Sequence, residues 1–243
     1  MKIRNHRILI PIGCAVLILA AFLMYQHWNV LRYEVRLANI RLFQSGEVAG
    51  GTIVQLPATY HRQEHSLSCE IAALKMALSV FDINPSESEL VGKLKFDPTP
   101  RTTSVWGDPF TGFVGIIDGK MGVDGYGVYA DPILEVAKQY TNAQVIRATP
   151  VELAKQIDLG NPVVIWGYSG RGRTIKWSTP AGRQITAING EHARTLIGYW
   201  GAPSAPIGFI ILDPIYGTLK WKTADLMKNM QPFDYMAVVV SKP

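Results

Sequence analysis

Hydrophobic positions in the first half of the chain recur with a helical period. From Leu74 onwards they follow the spacing i, i+3, i+4, i+7, and Ile71 lies on the same face. The apolar residues of this stripe are Ile71, Leu74, Ala77, Leu78 and Phe81. Such a stripe is typical of a helix that packs against a core. It predicts a helix over residues 67–80, with Ser68 as its N-cap and Cys69 in its first turn.

Capping residues predict three more helices. Their starts are Ser86 with Glu89, Asp131-Pro132 and Thr149-Pro150. The first is a capping box, and its helix should run to about Lys95. The other two place a proline at the first helical position, where its missing N–H group does no harm. Gly160 is expected to end the last helix.

Apolar runs bounded by turn residues dominate the second half and predict strands. They are Val163–Tyr168, Ala193–Trp200, Phe209–Leu212, Thr218–Trp221 and Met236–Val240. A helix-rich first half followed by a strand-rich second half favours an α+β fold over a doubly wound parallel sheet. We therefore expect helices packed on an antiparallel sheet.

The N-terminus has the pattern of a membrane segment. Lys2, Arg4 and Arg7 precede residues 8–25, which carry no charge and would span about 27 Å as a helix. We expect residues 1–28 to be a cytoplasmic tail with an uncleaved transmembrane signal anchor. Residues 29–50 would then be a juxtamembrane linker, and residues 51–243 the folded domain.

This arrangement would make the protein a single-pass protein of the cell membrane with an extracytoplasmic domain. The arginines that follow the segment, Arg32, Arg36 and Arg41, weaken the charge bias behind that orientation. A secreted domain after signal cleavage is the alternative. Cys14 could also be a lipoprotein acylation site, although a lipid-facing cysteine is the simpler interpretation.

Charge argues against nucleic acid and nucleotide as partners. The formal net charge is +5, and three of those charges belong to the N-terminal segment. The chain has no block of Lys and Arg residues, no C-x-x-C pair and no glycine-rich phosphate loop of the usual spacing. The basic stretch Arg171–Lys176 with Arg183 is best interpreted as a solvated hairpin. The alternative is a surface that contacts an anionic cell-wall or peptide partner.

Cys69 is the candidate nucleophile. It is the one cysteine outside the apolar N-terminal segment, and a position in the first turn of a helix lowers the pKa of a thiol. The adjacent Glu70 would act in the opposite direction. The alternative is a small buried hydrophobic residue.

Three further residues could complete a site for acyl transfer by a thiol, which needs a base, an orienting group and an oxyanion donor. His192 begins a predicted strand, Asp213 ends another, and Gln63 lies six residues before the cysteine. Each also has a structural interpretation: a hydrogen-bonding histidine, an Asp-Pro turn and a polar loop residue. His61 and His65 have no partner at metal-ligand spacing and are expected on the surface.

Residues 106–129 combine glycines with aromatic residues and lack any regular period. A long ordered loop of this kind usually serves a site. We expect it to form one wall of a substrate cleft, with Trp106, Phe110, Tyr126 and Tyr129 in contact with substrate. The alternative is a surface loop with aromatic plugs.

Together these motifs resemble the bacteriocin-processing-like, or double-glycine peptidase-like, cysteine peptidases of the papain-like superfamily. The residues that carry the resemblance are Gln63 and Cys69 at a helix start, His192 leading into Ile197-Gly198-Tyr199, and Leu212-Asp213-Pro214. The glutamate after the cysteine, Gly107–Phe110 and Gly125–Tyr129 are similar to a stand-alone, membrane-anchored branch of that family. The transporter-fused branch usually has Asp-Cys-Gly instead, so cleavage at a double glycine is not carried over.

The resemblance implies a papain-like fold and hydrolysis of peptide or amide bonds in a peptide or protein substrate. It assigns Cys69 as nucleophile, His192 as general base, Asp213 as orienting group and Gln63 as oxyanion donor. No metal and no organic cofactor is implied. Amidase or acyl-transfer chemistry would use the same residues, and a catalytically silent binding module on the same scaffold is the alternative from another class.

Overall fold

The computed structural model describes Met24 and residues 53–242. The predicted anchor and linker lie outside the described residues, apart from Met24, and both remain predictions. In the described part of the chain, no helix is long and apolar enough to cross a membrane. Residues 53–242 belong to one compact unit.

Five α-helices are present among the described residues of this unit. They are α1 (Cys69–Leu78), α2 (Glu87–Lys93), α3 (Ala130–Ala137), α4 (Pro150–Asp158) and α5 (Thr223–Met230). The caps of α2 and α4 are confirmed, because the Ser86 and Thr149 hydroxyls accept backbone N–H groups at 3.0 and 3.2 Å. Helix α3 begins at Ala130, before its predicted cap Asp131.

Ten strands form two sheets in the same residues. They are β1 (Ile53–Gln55), β2 (Phe96–Asp97), β3 (Phe113–Gly115), β4 (Gly125–Gly127), β5 (Asn142–Arg147), β6 (Val163–Ser178), β7 (Gln184–Ala202), β8 (Ala205–Asp213), β9 (Gly217–Lys222) and β10 (Met236–Ser241). The large sheet has the order β5-β10-β6-β7-β8-β9 and is antiparallel throughout. β1 pairs with β7 at residues 198–200, beyond Leu196, which pairs with the first residue of β6. The small sheet is β2-β3-β4.

The prediction of an α+β fold with a large antiparallel sheet is confirmed. Strands β6 and β7 are much longer than predicted, because they continue as a hairpin in which residues 173–178 pair with residues 184–189. The basic side chains of Arg171, Arg173 and Lys176 are exposed there. The solvated hairpin is therefore confirmed.

Helix α1 packs across the middle of the large sheet. The Thr195 hydroxyl on β7 donates to the Ala73 carbonyl oxygen at 2.7 Å, and every residue of α1 except Lys75 is buried. The apolar stripe predicted a helix with one buried face, whereas α1 is covered on nearly all sides. This packing fixes the start of α1 against the sheet.

Candidate active site

Cys69 is the first residue of α1, as predicted, and only 4% of it is exposed. Its Sγ atom accepts the backbone N–H of Ala193 at 3.4 Å and donates to Glu70 Oε2 at 3.3 Å. Ser68 occupies the N-cap position without a capping side-chain bond. Its hydroxyl donates instead to the buried Glu87 carboxylate on α2. Cys69 is thus held between a helix start and β7.

The pKa of the Cys69 thiol is raised well above its ordinary value, chiefly by burial and then by the charges of Glu70 and Glu191. The prediction that the helix start lowers this pKa is wrong. Removal from water and two neighbouring carboxyl groups outweigh the N-terminal dipole. The resting group is a neutral thiol.

His192 and Asp213 meet on neighbouring strands. His192 lies within β7, and Asp213 is the last residue of β8. His192 Nε2 is 3.0 Å from both carboxylate oxygens of Asp213. Because Nε2 faces Asp213, Nδ1 is the ring nitrogen left to serve a thiol. The contact between the Ala193 N–H and Sγ places the residue that follows His192 beside Cys69.

The surroundings of the pair lower the pKa values of both groups. Burial opposes ionisation of Asp213, but His192, Arg194 and backbone N–H groups together hold the pKa of Asp213 well below its usual range. Burial, and then Arg194, lower the pKa of His192, against the effect of Asp213. A neutral imidazole can accept a proton.

Arg194 was not predicted as part of this site. Its Nε donates to Asp213 Oδ2 at 2.7 Å, and its guanidinium lies 4.9 Å from the Trp221 ring centroid. Arg194 follows His192 by two residues, so strand periodicity places both on one face of β7. That spacing was the available signal.

Gln63 lies beside the end of β8, since its backbone N–H donates to the carbonyl oxygen of Pro214, the residue after Asp213, at 3.1 Å. Its side-chain amide donates to the carbonyl oxygens of His65 and Ser66 at 2.8 and 3.0 Å. In this conformation the amide braces its own loop. The role of oxyanion donor is therefore not met at rest and stays a prediction that needs the amide to turn.

The aromatic loop requires a correction. Trp106, Tyr126 and Tyr129 are buried in the core, where the hydroxyls of Tyr126 and Tyr129 lie 2.8 Å apart. The interpretation of Trp106 and Tyr126 as substrate contacts is wrong, because large rings gain most by filling the core. Tyr129 is buried with them but also lines a cavity, so its contact with substrate stays a prediction. Phe110 is half-buried beneath the Arg183 guanidinium. With Tyr129 it borders a cavity of about 450 Å³, so its contact with substrate stays a prediction.

His61 was expected on the surface, but it is half-buried and contacts a buried carboxylate. Its Nε2 lies 2.6 Å from the buried Glu87 carboxylate, which accepts the backbone N–H of Glu64 at 3.0 Å. His65 lies 3.0 Å from Asp118 near the surface. Glu87 thereby ties α2 to the loop that precedes Cys69.

Two buried carboxyl groups flank the thiol. Burial raises the pKa of Glu70 to about 7, although the Val128 N–H donates to its Oε1 at 2.7 Å. Burial and the neighbouring Glu70 raise the pKa of Glu191 well above its ordinary value, against the effect of Arg194. Glu191 was not predicted as a site residue.

A thiol at the start of a helix, packed across an antiparallel sheet whose strands carry a paired histidine and aspartate, defines a papain-like cysteine peptidase. Residues 55–238 match the model of the Peptidase_C39 like family, and the chain belongs to that family. The predicted resemblance is thereby confirmed at the level of the family. The membrane-anchored branch stays a prediction.

The chain is also similar to two known proteins. The uncharacterized protein YvpB of Bacillus subtilis (strain 168) is 27% identical over 182 residues, which cover 72% of this chain and 69% of YvpB. The crystal structure of a candidate C39-like peptidase from Bacillus anthracis has a TM-score of 0.65 and 25% sequence identity. That similarity covers 79% of this chain and 98% of the Bacillus anthracis chain.

Proposed function

We propose that this cysteine peptidase hydrolyses peptide or amide bonds with Cys69 as nucleophile, His192 as general base and acid, and Asp213 as the orienting carboxylate. The observation that carries the proposal is the junction of α1, β7 and β8. The Ala193 N–H lies 3.4 Å from the thiol sulfur, and His192, the preceding residue, lies 3.0 Å from Asp213.

The reaction follows from the neutral resting state. As Sγ of Cys69 attacks the substrate carbonyl, its proton passes to Nδ1 of His192, and Asp213 stabilises the imidazolium. Collapse of the tetrahedral intermediate breaks the C–N bond, and His192 protonates the departing amine. His192 then takes a proton from water, whose oxygen attacks the thioester. The acid leaves, and the proton returns to the thiol.

The oxyanion would be held at the start of α1. The first N–H groups of a helix have no intrahelical acceptor and point out of its N-terminus, where negative charge is favoured. The backbone N–H of Cys69 is one of these. Gln63 would add its side-chain amide if it exchanged the carbonyl oxygens of His65 and Ser66 for the oxyanion.

One observation favours a second candidate, a papain-like binding module without turnover. Cys69 and His192 are only 4% and 2% exposed, so a scissile carbonyl reaches the sulfur only after neighbouring groups move. A module that binds peptides near a covered thiol would fit the same burial. Hydrolysis separates the two candidates.

The test is digestion of a peptide library by the purified full-length protein. Cys69→Ala should abolish cleavage, and His192→Gln should slow it by about 10²–10⁴-fold. His65→Gln is the matched control, because His65 pairs with the exposed Asp118; this variant should cleave the same bonds as the wild type. Turnover retained by Cys69→Ala overturns the nucleophile assignment. Peptides that bind uncut favour the binding module.

We infer that the domain works outside the cytoplasm, tethered by residues 8–25. The support is the sequence alone: three cations precede eighteen residues without a charge. Cell fractionation should place the protein in the membrane, with residues 53–242 open to added protease on the outer side. If the protein is found in the medium without residues 8–25, the secreted alternative is correct instead.

A further inference from the structure

The proposed reaction leaves two acidic residues beside the nucleophile without a role. Glu70 and Glu191 are 1% and 3% exposed, and Cys69 between them is 4% exposed. The sulfur of Cys69 and one oxygen of each carboxyl group all lie within 4.8 Å of one another. Three groups that can each lose a proton and become anionic thus form one buried cluster.

Glu191 has no partner there. Among residues 53–242, neither of its side-chain oxygens accepts a hydrogen bond, although both are fully buried. The nearby Arg194 guanidinium gives its nitrogens to Asp213, Asn229 and the Tyr168 carbonyl instead. A buried polar group without a partner is rare and calls for a ligand or another explanation.

The backbone leaves space for this convergence at Gly127. A Cβ atom at this position would lie 2.5 Å from Glu70 Oε1 and 2.9 Å from Glu191 Oε2. The two carboxyl groups therefore approach the chain at a residue without a side chain. Gly127 also has φ +131°, a conformation that L side chains rarely adopt.

We propose that Cys69, Glu70 and Glu191 bind a divalent metal ion of the zinc type. A thiolate selects borderline and soft cations, and two carboxylates supply the further oxygen ligands. Zinc sites use Zn–S distances of about 2.3 Å and Zn–O distances of about 2.0–2.2 Å, so the three groups need only to draw together around the ion. The thiol proton, and any proton that the two carboxyl groups hold, leaves to solvent as the three groups bind the ion.

The consequence for activity rests on the proposed function. The ion holds the sulfur that would attack the substrate, so a bound ion stops hydrolysis and its removal by a chelator restores it. The metal is then an inhibitor at the nucleophile and takes no part in the reaction. Binding itself does not depend on whether the site turns over.

The test uses cobalt(II) alone as the probe, because a cobalt–thiolate bond gives a charge-transfer absorption that a carboxylate or imidazole does not. Titration of the purified full-length protein should produce this band with one ion per chain. Cys69→Ala should abolish it, and Glu191→Gln should weaken binding by at least about tenfold, the loss seen even for residues that only support a ligand.

Glu64→Gln is the matched control. Glu64 belongs to a second cluster with His61 and Glu87, whose ligand atoms also lie within 4.8 Å of one another. This variant should leave the band and its midpoint unchanged. No band at saturating cobalt, or a band that survives Glu191→Gln unweakened, overturns the proposal. Glu70→Gln provides the same comparison if Glu191→Gln does not fold.

The two proposals can fail separately. Cleavage that depends on Cys69, without a cobalt band, leaves the peptidase standing and ends the metal site. A cobalt band that depends on Cys69, with turnover retained by Cys69→Ala, does the reverse. If both proposals hold, zinc inhibits the wild-type protein and displaces cobalt over the same concentration range.

Discussion

Replacing Asp213 by asparagine should damage stability and catalysis through two different neighbours. Oδ1 of Asp213 accepts the backbone N–H groups of Ile215 and Tyr216 at 2.8 and 3.0 Å, and Oδ2 accepts Nε of Arg194 at 2.7 Å. Asparagine keeps one oxygen for the backbone and turns an NH2 group towards Arg194. A donor then faces a donor, and the buried cation loses its counter-charge.

The expected loss of stability is large. Asp213 is fully buried and the Arg194 side chain is only 4% exposed, so solvent screens this pair little. Breaking a buried ion pair by removing one partner destabilises a protein by about 3–5 kcal/mol. At about 2–4 °C per kcal/mol for a domain of this size, Asp213→Asn should lower Tm by roughly 6–20 °C.

The catalytic loss has another origin. Asparagine offers His192 no negative charge to stabilise the imidazolium and can fix the wrong tautomer of the ring. The fall in kcat should be about 10⁴-fold, as for the same Asp-to-Asn change in a Ser-His-Asp triad. It should be measured below the lowered Tm, so that unfolding does not contribute.

A double-mutant cycle with Arg194→Gln separates the two losses. Asp213→Asn with Arg194→Gln leaves no isolated charge, so the double variant should be more stable than the sum of the single losses predicts, by about 0.5–3 kcal/mol. Its kcat should stay as low as that of Asp213→Asn. Urea unfolding and steady-state hydrolysis report the two quantities. Additive stability losses, or a kcat restored in the double variant, would refute the reasoning.

Three further substitutions should change the stability of the fold, and each change is measured as a shift of the urea midpoint. Gly127→Ala should destabilise the fold by about 1–3 kcal/mol, since alanine tolerates φ +131° poorly and its Cβ would meet the Glu70 carboxylate. A Cβ atom added at Gly92 in α2 would have no neighbouring atom within 4 Å, so Gly92→Ala should stabilise the fold by about 0.5–1 kcal/mol. Thr149→Ala removes the cap of α4, a loss of about 1 kcal/mol; equal midpoints for all three variants would contradict these assignments.

Local signals in the sequence located most of the elements around the candidate site. The helix that begins at Cys69 was predicted from apolar spacing, and the caps at Ser86 and Thr149 from residue types that satisfy free N–H groups. Strands were found from apolar runs between turns. These signals act over a few residues, so they survive without knowledge of the fold.

Burial in three dimensions decided the features that were predicted wrongly. Trp106 and Tyr126 belong to a glycine-rich segment that looks like a loop, and only their packing against Trp177 of β6 makes them core residues. The same applies to the thiol of Cys69. A helix start lowers a thiol pKa, but burial and two neighbouring carboxyl groups outweigh this effect here, so the net shift of the Cys69 pKa is upward.

Glu191 shows most clearly why the sequence was insufficient. It precedes His192, so strand alternation turns the two side chains to opposite faces of β7, and no local pattern says what the face of Glu191 meets. The answer depends on the contact of Ala193 with Cys69, across 124 positions of the chain. A buried carboxyl group without a partner destabilises the fold. Since Glu191 adjoins Cys69, a function that uses this carboxyl group is to be sought at the nucleophile.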